Sequence, residues 1–194
     1  MSTGAVVRSG WISLKGDEAI VGRVPVALGV AALAEVLLAL TALQKLVAPV
    51  PATQALRSVG LPVPSGLVRV GAAVELVAGV GALATGRAVF AAGVALCYVG
   101  FAGFIALARH RPSPVASCGC LGDADTPPTL AHLLFNLAAA GVCGVATLSP
   151  SPGIVAALRH QPLAGVPLVG LVALGCGLCW ILLSVAPRAS KIGG

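Results

Sequence analysis

The sequence predicts an all-α fold, a polytopic transmembrane helix bundle with a four-helix core and a fifth C-terminal span. Three observations predict it. The first is composition: 58% of the 194 residues are hydrophobic and only 9% are charged. A soluble domain carries roughly 25% charged residues, so this chain cannot coat a globule with polar groups and its apolar surface must face lipid. The second is a series of five apolar runs of about 20 residues, the length a helix needs to cross a bilayer. The third is that glycine and alanine recur in all five runs. Small residues let helix backbones approach closely where lipid supplies no hydrophobic drive to associate.

The elements follow in order. Residues 1–23 form a polar N-terminal segment carrying Arg8, Lys15, Asp17 and Glu18 with no apolar core. The apolar run that begins after Arg23 is too long for a signal peptide and reads as an uncleaved anchor. The first span is expected over Val24 to Val47, with Glu35 at its centre, Lys45 near its end, and Pro49 and Pro51 beyond. A short helix is expected over Thr53 to Val59, capped by Thr53 and stopped by Gly60. Leu56 and Val59 give it one apolar face, suited to the membrane surface. The second span, Gly66 to Thr85, has Arg69 at its start and Glu75 near its middle. Gly86 and Arg87 connect it tightly to the third, Ala88 to Ala108, which has no charge. Arg109, His110 and Arg111 end that span, and a loop over 112–128 holds Cys118 and Cys120. The fourth span, Thr129 to Leu148, carries His132 and Asn136. The core domain is thus 24–148, and 149–194 adds a short helix at Ile154 to His160, a fifth span at Leu163 to Ala186 and a short basic tail.

The net charge of +6 is spread thinly along the chain, like loop charge flanking spans and unlike the basic stripe of a nucleic-acid binder. The expected partner is the lipid bilayer, not nucleic acid. An N-terminus inside would leave Lys45, Arg57, Arg69, Arg109, Arg111, Arg188 and Lys191 outside, and the positive-inside rule mildly favours the reverse.

Of six cysteines, only Cys118 and Cys120 fall in a predicted aqueous loop, as Cys118-Gly119-Cys120-Leu121-Gly122. A disulfide between cysteines one residue apart closes a small, strained ring, which suits exchange better than bracing. Arg109 and Arg111, with Lys45 and Arg69 from span ends on the same face, would favour thiolate, and Asp123 and Asp125 oppose it. Three readings stand for this loop. It is a redox-active dithiol, a metal site with Asp123, Asp125 or His132 added, or a simple structural disulfide or idle thiols. Two thiolates alone fall short of a closed four-ligand metal site, and the dithiol is preferred. Cys176 and Cys179 form a C-x-x-C within the fifth span. They read either as small packing residues or as a membrane-embedded relay pair. Cys97 and Cys143 read as packing.

Glu35 and Glu75 lie near span centres, where a charge costs on the order of 3 kcal/mol. They read either as a proton- or quinone-linked site between the first two spans or as interhelical hydrogen bonds that fix packing. Lys45 and Arg69 are expected to snorkel to the interface. His132 and Asn136 share a helix face just after the cysteine loop. A helix–helix hydrogen bond is the preferred reading of the pair, and His132 is also a candidate proton carrier for thiol exchange. Tyr98 and Trp180 read as packing or lipid-facing aromatics.

These features in order resemble a family. An apolar helix ends in Leu-Gln-Lys45 before a proline, a second carries Glu75, and a third is uncharged. Cys118-Gly119-Cys120-Leu121-Gly122 and a fourth helix with Asn136 follow. The pattern is similar to the methylamine-utilisation membrane protein MauE, grouped with DoxX-like proteins, and covers about Val24 to Leu148. Leu121 stands where the family usually has Phe, and the fifth span with Cys176 and Cys179 lies outside the resemblance. The resemblance implies a role in maturing an exported protein. The methylamine-utilisation member is thought to help form or transport the disulfide-rich small subunit of methylamine dehydrogenase, beside a thioredoxin-like partner. It also implies a multi-pass protein of the cell membrane, with the N-terminus inside and the cysteine loop on the extracytoplasmic face, where disulfide chemistry belongs.

The expectation is therefore a membrane thiol–disulfide oxidoreductase, or an accessory to one, with Cys118 and Cys120 as the redox pair. Cys176 and Cys179 would be a relay, and Glu35, Glu75, Lys45 and Asn136 would shape the interior. No bound cofactor is expected, although a quinone would suit onward electron transfer. The rivals are a proton-coupled carrier built on Glu35 and Glu75, and a non-catalytic membrane subunit that docks a partner.

Overall fold

A computed structural model describes residues 14–111, 128–148, 153–160 and 162–184, all of it helix and short connections. The helices are α1 (Leu14–Val47), α2 (Val50–Ser58), α3 (Ser65–Thr85), α4 (Ala88–Arg109), α5 (Leu130–Leu148), α6 (Ile154–His160) and α7 (Pro162–Ser184). With no water in the hydrocarbon, each span must satisfy its backbone internally, and only a helix does so within one segment. At 1.5 Å per residue, α3 and α4 are each about 31–33 Å long, matching an apolar core of about 30 Å.

Four stretches among the described residues are long and apolar enough to cross a membrane: Gly29–Val47, Ser65–Thr85, Ala88–Arg109 and Leu130–Leu148. The protein is a multi-pass membrane protein. The C-terminal α7 has 23 residues, and its described apolar part is the shorter Val169–Cys179. The expected spans recur with their ends moved by a residue or two, except at the start. There the helix extends to Leu14, ten residues before the apolar run begins.

Helices α1, α3, α4 and α5 pack around one core, in which α3 lies against α1 and α4, α5 against α4 and α1, and α7 against the outside of α1. Leu38, Val94 and Cys143 are completely buried there, ringed by Ala34, Ala78, Ala82, Tyr98 and Ala139. Alanines dominate, so the helices sit close and dispersion replaces the hydrophobic effect as their attraction. Helices α1 and α3 come close at Gly79, where a Cβ would stand 2.9 Å from the backbone oxygen of Glu35. The larger apolar residues point outward: Val70, Val74 and Val77 on α3, Leu96 and Val99 on α4, and Leu134 and Leu137 on α5 are all exposed. Their spacing of three to four residues makes a lipid-facing stripe on each span.

The short helix α2 departs from expectation at its start. Pro49 precedes it and Pro51 lies in its first turn, where a missing N–H costs nothing. Thr53 therefore falls inside the helix and is not its cap. Its hydroxyl donates back to the Pro49 carbonyl at 2.9 Å and is buried. Gly60 stops the helix as expected, at φ 86°, a left-handed conformation that glycine adopts without strain. The apolar face of α2 is turned onto the bundle, with Val59 buried against Ala108 and Phe104 of α4.

Candidate functional site

The connectivity sorts the polar groups by membrane face. α1 and α4 run one way and α3 and α5 return, so the end of α1, all of α2, the start of α3, the end of α4 and the start of α5 share one face. Residues 112–127, with Cys118, Cys120, Asp123 and Asp125, join α4 to α5 and lie outside the described residues. Their flanks are described. Arg111, just past α4, donates from Nη2 to the Val59 carbonyl at 2.6 Å, which ties the end of α4 to the end of α2. Its guanidinium is engaged there.

Beneath α2, Lys45 and Glu75 form an ion pair between α1 and α3, with Nζ 2.7 Å from Oε2 and side-chain exposures of 9% and 14%. The ammonium also lies 4.2 Å from the centre of the Phe101 ring on α4, a distance at which a ring face attracts a cation. The expectation that Lys45 snorkels to the interface is overturned. A lysine at the end of α1 can reach either water or a carboxylate on the antiparallel neighbour, and here it reaches the carboxylate. Each charge then compensates the other, so neither is buried alone. Lys45 is accordingly not a free cation for the cysteine segment, whereas Arg69 is exposed as expected.

Glu35 and Glu75 do not form one site. Glu35 precedes Lys45 by ten residues on α1, about 15 Å of helix. It is 8% exposed and meets no hydrogen-bond or ion-pair partner among the described residues. It borders a cavity of about 30 Å³ with Ala82 of α3, Gly86 just past its end, Ala91 of α4, and Gly153 and Ile154. That space suits a single water. It lies toward the opposite face, where α3 turns into α4.

His132 and Asn136 are buried on α5. Asn136 Nδ2 donates to the His132 carbonyl at 2.7 Å, so among the described residues this amide bonds its own helix. His132 Nδ1 lies 2.7 Å from the Thr129 hydroxyl, at the start of α5 and close to the end of the cysteine segment. Tyr98 donates its hydroxyl to the Ala34 carbonyl at 2.7 Å across α4 and α1 and meets Phe101 and Phe135 edge to face. It packs, as expected of it.

The intramembrane thiols of Cys97, Cys143, Cys176 and Cys179 are all unbridged. Cys143 lies in the core, and Cys176 and Cys179 pack against Ala32, Leu33, Val36 and Leu37 of α1. Cys97 has a second neighbourhood that reading it as packing missed. It lines a cleft of about 380 Å³ with Lys45, Glu75, Gly100, Phe101 and Phe104, roofed by Ala52, Ala55 and Leu56 of α2. The spacing of Cys97, Gly100, Phe101 and Phe104 puts them on one helix face. That face was the available signal. Among the described residues no three of His, Cys, Asp or Glu gather as metal ligands.

A family profile described as methylamine utilisation protein MauE matches residues 23–149. The chain belongs to the MauE family. The MauE match takes in α1 from residue 23 through α5, and with them Lys45, Glu75, Cys118, Cys120, His132 and Asn136; Cys176 and Cys179 lie beyond it. No curated protein and no solved structure matches the chain.

Proposed function

We propose that this MauE-family protein is a membrane partner in thiol–disulfide exchange, acting on an exported thioredoxin-like or disulfide-containing protein through Cys118 and Cys120. The supporting observation is the Cys118-Gly119-Cys120 sequence within the family match, between two helix ends that share a membrane face. On this reading that face is extracytoplasmic. The thiolate of one cysteine attacks a sulfur of the partner's disulfide and releases the partner's other sulfur as a thiolate. The second cysteine then displaces the partner, leaving a Cys118–Cys120 disulfide here and two thiols there. Run backward, the same steps oxidise the partner. His132, near the exit of the cysteine segment, would carry the proton between sulfurs.

The contact of Arg111 with Val59 would hold the end of α4 that leads into the cysteines, and the pair Lys45–Glu75 would brace α1 against α3 beneath α2. Cys176 and Cys179 would relay electrons only if the loop pair exchanges with them, since they pack beside the middle of α1. The family's name links relatives to methylamine utilisation.

Trapping tests the reading. With Cys120→Ser, Cys118 would hold its partner as a mixed disulfide, and with Cys118→Ser, Cys120 would do so. Non-reducing gels of membranes should show an adduct that dithiothreitol dissolves and that disappears in the double serine variant. No adduct from either single variant would count against exchange.

A further inference from the structure

We infer that the cleft between α2, α3 and α4 binds a neutral lipophile with a flat, carbonyl-bearing ring, the chemistry of a membrane quinone. Four features lead there. Its volume of about 380 Å³ falls in the range of small-molecule sites, roughly 300–1,000 Å³. Its walls are apolar, with Leu56, Val63, Phe101 and Phe104 among them, so the occupant's body must be apolar. Leu67, Gly71 and Gly100 line it and are exposed on the spans. The mouth therefore opens sideways between α3 and α4, and a ligand enters from hydrocarbon.

The fourth feature selects the head group. Lys45 and Glu75 are the charged residues that line the cleft, and together they are neutral. An anionic head, such as a fatty carboxylate, would meet the Glu75 carboxylate, and a cationic head would meet the Lys45 ammonium. A neutral acceptor meets neither penalty. The ammonium has three N–H donors, of which one serves Glu75 Oε2, leaving a donor for a ligand carbonyl. The rings of Phe101 and Phe104 offer a flat head edge and face contacts. Recognition rests on Lys45 and Glu75 and not on Cys118 or Cys120, so replacing both loop cysteines leaves it intact.

The test uses the full chain in lipid nanodiscs, with alkylation of Cys97 by N-ethylmaleimide followed peptide by peptide. The probe is decyl-ubiquinone, whose fully substituted ring does not alkylate thiols; dodecane is the chain-only control. At about ten times its Kd, the quinone should slow Cys97 labelling about tenfold, and dodecane should not. The protection should vanish in Lys45→Met with Glu75→Leu, which removes both charges together, and in Gly100→Leu, which fills the mouth where a Cβ meets nothing within 4 Å. Retention of radiolabelled decyl-ubiquinone gives a second readout that does not depend on Cys97 reactivity. One equivalent per wild-type chain and none in the double variant are expected. Equal protection by dodecane, retention undiminished in the double variant, or no retention by the wild type overturns the inference.

Discussion

Lys45 and Glu75, thirty positions apart in sequence, meet at 2.7 Å inside the bundle and join the end of α1 to the middle of α3. Removing one partner leaves the other charge buried and uncompensated, whereas removing both leaves none. Lys45→Ala and Glu75→Ala should each destabilise the protein by about 3–5 kcal/mol. Lys45→Met combined with Glu75→Leu should come close to wild type. Thermal unfolding in one detergent, followed by helix content, checks this. Additive losses in the double variant would show that the two residues act separately.

The approach of α1 to α3 at Gly79 predicts a steric effect. A methyl there would stand 2.9 Å from the Glu35 carbonyl oxygen and 3.3 Å from the Ala39 nitrogen, both fixed backbone atoms. Gly79→Ala should cost about 1–3 kcal/mol, as overpacking does. Gly103→Ala is the control, since a Cβ there meets nothing within 4 Å. It should unfold at the wild-type temperature.

Tyr98 joins α4 to α1 through a single hydroxyl, donated to Ala34 O at 2.7 Å. Tyr98→Phe keeps the ring and its contacts with Phe101 and Phe135 and removes only that bond. The expected loss is about 1 kcal/mol, read in the same unfolding assay. Tyr98→Ala empties the core beside Val94 and Leu38 and should cost about 3–5 kcal/mol.

Arg111 fastens the end of α4 to α2 through the Val59 carbonyl. Arg111→Gln should loosen α2 without unfolding the spans. Hydrogen exchange should quicken across Val50–Ser58 and stay unchanged in α3 and α4. Unchanged exchange in α2 would mean that burial of Val59 alone holds it.

Much of this fold was legible because lipid imposes a length. The charge-free run from Ala88 could only be a span, and Gly86 with Arg87 left no room for anything but a turn. What faces what was not legible. Depth along a helix follows from counting residues, so Lys45 was correctly placed near an end. Its choice of Glu75 over water depends on a neighbouring helix that the sequence does not position. Glu35 and Glu75 looked equivalent for the same reason, and the bundle puts them at different levels. Thr53 has the chemistry of a cap, but Pro49 and Pro51 start the helix ahead of it without one. At Cys97 the apolar surroundings suggested packing, while the aromatic residues one turn along marked a cleft wall.

Selective alkylation of intact cells reads both the redox state of Cys118 and Cys120 and the membrane face on which they lie. A membrane-impermeant maleimide is applied before and after mild reduction, and the peptide holding both cysteines is weighed. The two thiols should be blocked as a disulfide in part of the population, and both should label from outside once reduced. Labelling only in inverted vesicles, or no labelling in either redox state, would contradict exchange on the extracytoplasmic face.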